Sequence, residues 1–89
     1  MQVSEIIHHD AASDVLYAKL PDRKVVRSAP LPDDDFVILN VDAGGEVVGV
    51  QLLEATEMNR GRWREFFRNA IPITLFEAID YWLAIRSPA

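Results

Sequence analysis

Two aliphatic runs, residues 36–41 and 47–53, flank a pair of glycines, and this pattern constrains the fold more than any other feature. Both runs are rich in β-branched residues, which pack well in strands. The residues between them, Asp42-Ala43-Gly44-Gly45, have the composition of a tight turn. We therefore predict an antiparallel β-hairpin over residues 36–53 that turns at Gly44-Gly45.

The length of the loop decides which residues of the hairpin face each other. A two-residue loop places six aliphatic side chains on one face, in three facing pairs: Val41 with Val48, Leu39 with Val50, and Val37 with Leu52. A three-residue loop with a bulge would pair Val41 with Val47 instead. Because a one-residue slip moves every side chain to the other face, the clean aliphatic face favours the two-residue loop.

Shorter runs upstream of the hairpin predict three further strands, over Val3–His8, Val15–Leu20 and Val25–Ala29. Pro30 and Pro32 lack an N–H to donate, so we expect regular pairing to stop there. The acidic run Asp33–Asp35 is then a solvated loop. Together these segments predict an antiparallel sheet of four to five strands.

After Thr56 the hydrophobic period becomes helical. A first helix, over about residues 59–71, has apolar residues at helical spacing that predict one buried stripe: Trp63, Phe66, Phe67, Ala70 and Ile71. Pro72 ends it, and Thr74 with Glu77 forms a capping box that opens a second helix over about residues 75–86. The prediction is an α+β fold in a single domain over residues 1–89, β-rich over 1–57 and helical over 58–89.

The second helix is apolar around most of its circumference, and a chain of 89 residues has little material to cover it. We therefore expect a homodimer through this helix, with contacts from Leu75, Phe76, Ile79, Trp82 and Leu83. The alternative is that the helix packs on the sheet and leaves only a few apolar side chains exposed.

Composition narrows the class of protein. The net charge of −5 disfavours nonspecific nucleic-acid binding, and the chain contains no cysteine for a disulfide or a thiolate metal site. The apolar C-terminal stretch is interrupted by Pro72, Glu77 and Asp80, so it falls short of the roughly 18 apolar residues that a membrane span needs. We expect a soluble, cytoplasmic protein without a cofactor.

The β-rich part also resembles a known family. The residues that carry the resemblance are Asp10-x-x-x-Asp14-x-Leu16-Tyr17-x-x-Leu20, then Val37-x-Leu39-x-Val41-Asp42-x-x-Gly45-x-Val47-Val48-Gly49-Val50, and finally Leu52-Leu53-x-Ala55. Over about residues 3–56 they are similar to the small bacterial domain of unknown function 2283 (DUF2283). The resemblance implies a compact β-rich domain in which both aspartates, the tyrosine and the glycines recur, and it implies no activity. The chain departs from the family at Gln51, where an acidic residue is usual.

Four residues near the N-terminus are candidates for a metal site: His8, His9, Asp10 and Asp14. Neighbouring residues of a strand point to opposite faces, so His8 and His9 cannot both reach one ion, whereas His8 with Asp10, or His9 with Asp14, could converge. The alternative is a solvated turn in which the aspartates accept backbone N–H groups. We favour the turn and expect no bound metal.

Arg60, Arg64 and Arg68 form a basic stripe at spacing i, i+4 and i+8. The stripe could contact an acidic protein partner or nucleic-acid phosphates. The alternative, which we favour, is a solvated face neutralised by Asp33–Asp35 or by a neighbouring subunit.

No nucleophile–base constellation is recognisable in the sequence. The sequence thus favours a non-enzymatic interaction or regulatory module that self-associates. The alternatives are a binder of nucleic acid or of an acidic protein partner through the basic stripe, and a small metal-dependent enzyme with a His/Asp site near the N-terminus.

Overall fold

In the computed structural model, which describes residues 5–32 and 34–86, five strands form one antiparallel sheet. They are β1 (Ile7–Asp10), β2 (Val15–Lys19), β3 (Arg27–Leu31), β4 (Asp34–Val41) and β5 (Val47–Leu53), in the spatial order β1-β2-β5-β4-β3. A short 3-10 turn, Ala55–Glu57, leads to helices α1 (Arg60–Phe67) and α2 (Ile73–Arg86). The predicted α+β fold, with its hairpin and two C-terminal helices, is confirmed.

The β4–β5 hairpin combines the two registers considered for it. Away from the turn, the pairs are those of the two-residue loop: Val37 faces Leu52 and Leu39 faces Val50. Next to the turn, Val41 faces Val47, and the prediction that it faces Val48 is wrong. Because Asn40 still faces Gly49, Val48 is an extra residue on β5, and the ladder has a bulge there.

Asp42 holds the longer loop that produces this bulge. Its Oδ1 accepts the backbone N–H groups of Gly44 and Glu46 at 2.9 and 3.0 Å, and its own N–H donates to the Glu46 carbonyl at 2.9 Å. Gly45 has a φ of 86°, a conformation that glycine adopts at little cost. The guanidinium of Arg23 also donates to the Asp42 carboxylate. The side chain of Asp42 is therefore occupied in turn formation.

Strand β3 begins two residues later than predicted and includes Pro30, which faces Ile38. The prediction that pairing stops at Pro30 is wrong. A proline is tolerated there because β3 is an edge strand. No strand lies on its outer side, so the N–H that proline lacks is not needed for a hydrogen bond there. Asp34 and Asp35 belong to β4 rather than to a solvated loop.

Strand β1 is also displaced, since it begins at Ile7 and extends to Asp10 instead of covering 3–8. Residues 3 and 4 of that predicted strand, and Asp33 of the predicted loop, lie outside the described residues.

Helices α1 and α2 cover one face of the sheet. The core joins side chains that alternate along the central strands with side chains from both helices: Leu16, Ala18, Val37, Val50 and Leu52 meet Trp63, Phe67, Leu75, Ile79 and Leu83. Trp63 is fully buried, stacks on Phe67 and Phe76 at 5.0 and 5.5 Å, and donates its Nε1–H to the Phe76 carbonyl at 3.2 Å. This tryptophan therefore ties α1 to α2.

The helix ends differ from those predicted. Helix α1 ends at Phe67, and of its predicted buried stripe Phe66 is 63% exposed and Ala70 is also exposed. Trp63 and Phe67 are the buried members of the stripe within α1, and Ile71 is buried beyond the end of the helix. Helix α2 begins at Ile73, so Thr74 lies inside its first turn and the predicted capping box is wrong.

Candidate interaction surfaces

The metal candidates divide between the two faces of the sheet. His8 stacks on Tyr17, with ring centroids 6.4 Å apart, on the face away from the helices. His9 lies on the helix side, with its ring centroid 4.9 Å from that of Trp82. Asp10 accepts the N–H of Ala12 at 3.1 Å within the β1–β2 turn. Within residues 5–32 and 34–86, no three histidine or acidic side chains are grouped closely enough to hold a metal ion.

Asp14 joins the β1–β2 turn to the end of β5. Its carboxylate accepts the Thr56 hydroxyl at 2.6 Å and the Thr56 N–H at 3.2 Å, and it lies 2.8 Å from His9 Nε2. The hydrogen bond from the Thr56 side chain, followed by that from His9, holds the pKa of Asp14 below its usual value. The carboxylate stands between the hydroxyl and the imidazole, so His9 is not placed to activate Thr56 as a nucleophile. The cluster connects two segments of the fold.

The basic stripe is largely paired within the chain. Arg60 and Arg64 both donate to the carboxylate of Asp80 on α2, through four hydrogen bonds of 3.1–3.2 Å. The guanidinium of Arg68 lies over the ring of Phe76, 5.5 Å from its centroid. The predicted acidic run does not serve these arginines among the described residues: its member Asp34 accepts from Arg62 instead, at 3.4 Å. Asp80 was missed as the partner because it lies on a different helix.

The residues expected at a dimer contact lie inside the chain's own core. Leu75, Phe76, Ile79, Trp82 and Leu83 are between 0 and 7% exposed, because the sheet and α1 pack against α2. They are therefore not presented to a second copy. The outward side of α2 carries Ile73, Tyr81 and Ile85, each more than half exposed.

The second face of the sheet carries no helix in the described part of the chain. We call it the open face and define it by the outward residues of three strands: Ser28 and Pro30 on β3, Phe36, Ile38 and Asn40 on β4, and Gly49, Gln51 and Leu53 on β5. None of these eight residues is charged. The alternation of side chains between the two faces was visible in the sequence of each strand. Whether the uncharged residues form one continuous surface across three strands depends on the register between them, which the sequence left open.

Polar groups in the open face are paired with each other. Asn40 is only 7% exposed, and its Oδ1 accepts the Ser28 hydroxyl at 2.6 Å and the Gln51 amide at 3.5 Å. Gly49 makes room for it: a Cβ at this position would lie 3.2–3.3 Å from Asn40 and 3.0 Å from the Ala18 carbonyl oxygen. The centre of the open face is thus flat. Phe36, towards one end of the open face, and Tyr17, on the adjacent strand β2, are exposed.

These features define a small α+β protein with one helix-covered and one open sheet face. The family described as Protein of unknown function (DUF2283) matches residues 6–55, more than half of the chain, and the chain belongs to this family. The match confirms the resemblance and covers the sheet without α1 and α2. A search of curated proteins and a search of solved structures found no match. Among the described residues, the helices are too short or too polar to cross a membrane.

Proposed function

We propose that this protein is a non-enzymatic interaction module that self-associates, and that two copies pair through their open faces. The supporting observation is the continuous uncharged surface on β3, β4 and β5. This proposal moves the contact from the buried residues of α2 to the opposite side of the molecule.

Charge favours a second copy as the occupant of the open face. Charged residues make up 26% of the chain, yet they occur beside this surface, at Asp10 and Lys19, and not within it. Interface centres are depleted of charge, as the open face is, and aromatic residues are enriched at interfaces. The exposed aromatic residues here are Phe36, towards one end of the open face, and Tyr17 on the adjacent strand β2. A two-fold axis places the same patch on both sides, and an uncharged patch meets itself without repulsion between like charges.

The size of the sheet suggests how tight the dimer is. The three strands of the open face have five, eight and seven residues. With a rise of ~3.3 Å per residue and strands about 4.8 Å apart, they give roughly 300 Å² of flat area per copy. Protruding side chains add to this, so the two copies together would bury on the order of 1,000 Å², near the lower limit for specific interfaces. We therefore expect a reversible dimer with a micromolar Kd.

The test is Gln51→Glu, which keeps the size of the side chain and places a carboxylate at the centre of the open face. In sedimentation equilibrium the wild type should approach twice 10.1 kDa at high protein concentration. The variant should weaken the dimer by about ten-fold or more, equal to ~1.4 kcal/mol, because the two carboxylates would be buried near each other. Asn69→Asp makes the same chemical change in the exposed turn after α1 and is the matched control.

A wild type that stays monomeric at a few hundred micromolar would overturn the proposal. Equal weakening by Gln51→Glu and Asn69→Asp would also overturn it, since the effect would then come from net charge alone.

A further inference from the structure

We infer that the groove between α1 and α2 binds an acidic amphipathic helix of a partner protein. The groove has a basic wall, formed by Arg60, Arg64 and Arg68, and a mainly apolar wall, formed by Ile73, Tyr81 and Ala84, with Glu77 one turn from both Ile73 and Tyr81. It lies on the helical layer, on the opposite side of the sheet from the open face, so the inference does not depend on the dimer.

The first argument is the charge of the basic wall. Arg60 and Arg64 share the single carboxylate of Asp80, which accepts four hydrogen bonds and has no further lone pairs to offer. Each guanidinium uses two of its five N–H groups in these bonds, so three remain on each. With Arg68 and Glu77 included, the charged side chains of the groove carry one net positive charge. The side chains of Arg60 and Arg64 are 42% and 47% exposed. The remaining N–H groups of Arg60 and Arg64 can therefore donate to carboxylates of a partner.

Asp80 also fixes the position of this charge. Although partial burial raises the pKa of Asp80, the hydrogen bonds from Arg60 and Arg64 outweigh it and hold the pKa below its usual value. Asp80 is therefore ionised at neutral pH and holds both guanidiniums in place. Arg68 is held as well, over the ring of Phe76. A binding wall with fixed side chains loses less conformational entropy when a partner binds.

The second argument is the apolar wall. Ile73 and Tyr81 are 54% and 53% exposed, although most of the other large apolar side chains of α2 are buried. A ligand helix can place its apolar side chains against this wall while its carboxylates reach the arginines. The arginines span eight residues of chain, or roughly 12 Å, so carboxylates about two turns apart on the ligand would match them.

The two walls together favour a peptide over a nucleic acid. Glu77 and Asp80 lie inside the groove and repel any anionic ligand, so binding needs contacts with the apolar side chains as well, and a phosphate backbone has none to offer. The chain as a whole carries a net charge of −5, which opposes a polyanion that lacks apolar contacts of its own. An acidic helix with leucine-like side chains uses both walls.

The experiment measures fluorescence anisotropy of a labelled designed peptide titrated with the full chain. The peptide is an amphipathic helix of about 16 residues, near the length at which isolated helices become stable, with glutamates beside a row of leucines. A second peptide has glutamine at each glutamate position, and a labelled single-stranded oligonucleotide serves as the third probe. We expect micromolar binding of the glutamate peptide and at least ten-fold weaker binding of the glutamine peptide.

Variants then locate the binding site. Arg64→Gln and Tyr81→Ala should each weaken binding of the glutamate peptide several-fold, one for each wall. Arg27→Gln removes the same charge from the exposed edge strand β3 and should leave binding unchanged. Gln51→Glu should also bind normally, which separates this result from the outcome of the dimer test.

Three results would overturn the inference: no binding of the glutamate peptide, equal binding of the two peptides, or tighter binding of the oligonucleotide. An effect of Arg27→Gln as large as that of Arg64→Gln would overturn it too. Thermal unfolding of each variant verifies that the fold is retained.

Discussion

At the scale of single residues, Asp14 and Gly49 occupy positions with demanding geometry. Asp14 has a φ of 55°, in the left-handed region, where aspartate and asparagine are several-fold enriched over other non-glycine residues. Gly49 lies where a side chain would press on the Ala18 carbonyl oxygen and on Asn40. Both residues are therefore required by the geometry of the fold.

Asp14→Asn tests the hydrogen bonds of this residue without changing its shape or its tolerance of positive φ. We expect a loss of about 1 kcal/mol in the free energy of unfolding at pH 7, because the bonds to Thr56 and His9 lose their charged acceptor. Asp14→Ala should lose about 1 kcal/mol more, since alanine is strained in the left-handed region. Urea titrations of the three proteins provide the measurement.

The effect of Asp14→Asn should depend on pH in one direction. The pKa of Asp14 is lower in the folded chain than its usual 3.8. Its carboxylate therefore contributes stability above pH 3.8, and the contribution is lost as pH falls through the folded pKa. The difference between wild type and Asp14→Asn should shrink in the most acidic titrations, and a constant difference would contradict this assignment.

At the scale of elements, α1 depends on its surroundings. It has eight residues, fewer than the number at which isolated helices are stable in water. It is held by Trp63 and Phe67 in the core, by the ion pairs to Asp80, and by a cap: the Asn59 side chain accepts the N–H of Arg62 at 2.7 Å. The order of the basic wall of the groove therefore depends on these contacts.

Asn59→Ala should remove the cap and lower the free energy of unfolding by about 1 kcal/mol. Asn69→Ala, an equal truncation in the exposed turn after α1, should stay within about 0.5 kcal/mol of wild type. Thermal unfolding followed by circular dichroism gives both values. If the two variants lose the same stability, the Asn59 side chain is not a significant cap.

At the scale of the whole molecule, α1 and α2 supply the part of the hydrophobic core that lies outside the region matched by the family. The match ends at Ala55, yet Leu16, Val37, Val50 and Leu52 are 0% exposed because α1 and α2 cover them. Without that layer, both faces of the sheet would meet water, and a sheet needs a packed hydrophobic face for independent stability.

A fragment of residues 1–58 should therefore show no cooperative thermal transition as a monomer, whereas the full chain should unfold in one step. Differential scanning calorimetry with sedimentation velocity makes the comparison. A monomeric fragment that melts cooperatively would show that the sheet is stable without the helices, and that the helical layer is an addition to a complete domain.

The sequence by itself determined the kinds of element and their order. Alternation with period two and apolar spacing near 3.6 arise within a few residues of chain, so they predicted the hairpin, the strands and both helices. The same local rules misplaced the ends of β1, β3 and α1, and they misassigned Thr74 as a cap. Strand and helix ends depend on neighbours that are distant in sequence, such as the edge position that tolerates Pro30.

Only the tertiary structure decided which surfaces are available. Helix α2 is apolar on several sides, and no local pattern indicates which of them the sheet will cover. The partner of Arg60 and Arg64 lies 20 and 16 residues away, on another helix, and its identity depends on how two helices cross. The open face, likewise, became continuous only when β3, β4 and β5 took their register. Such contacts join distant parts of the chain, and packing of the whole molecule selects among the many pairings that local sequence allows.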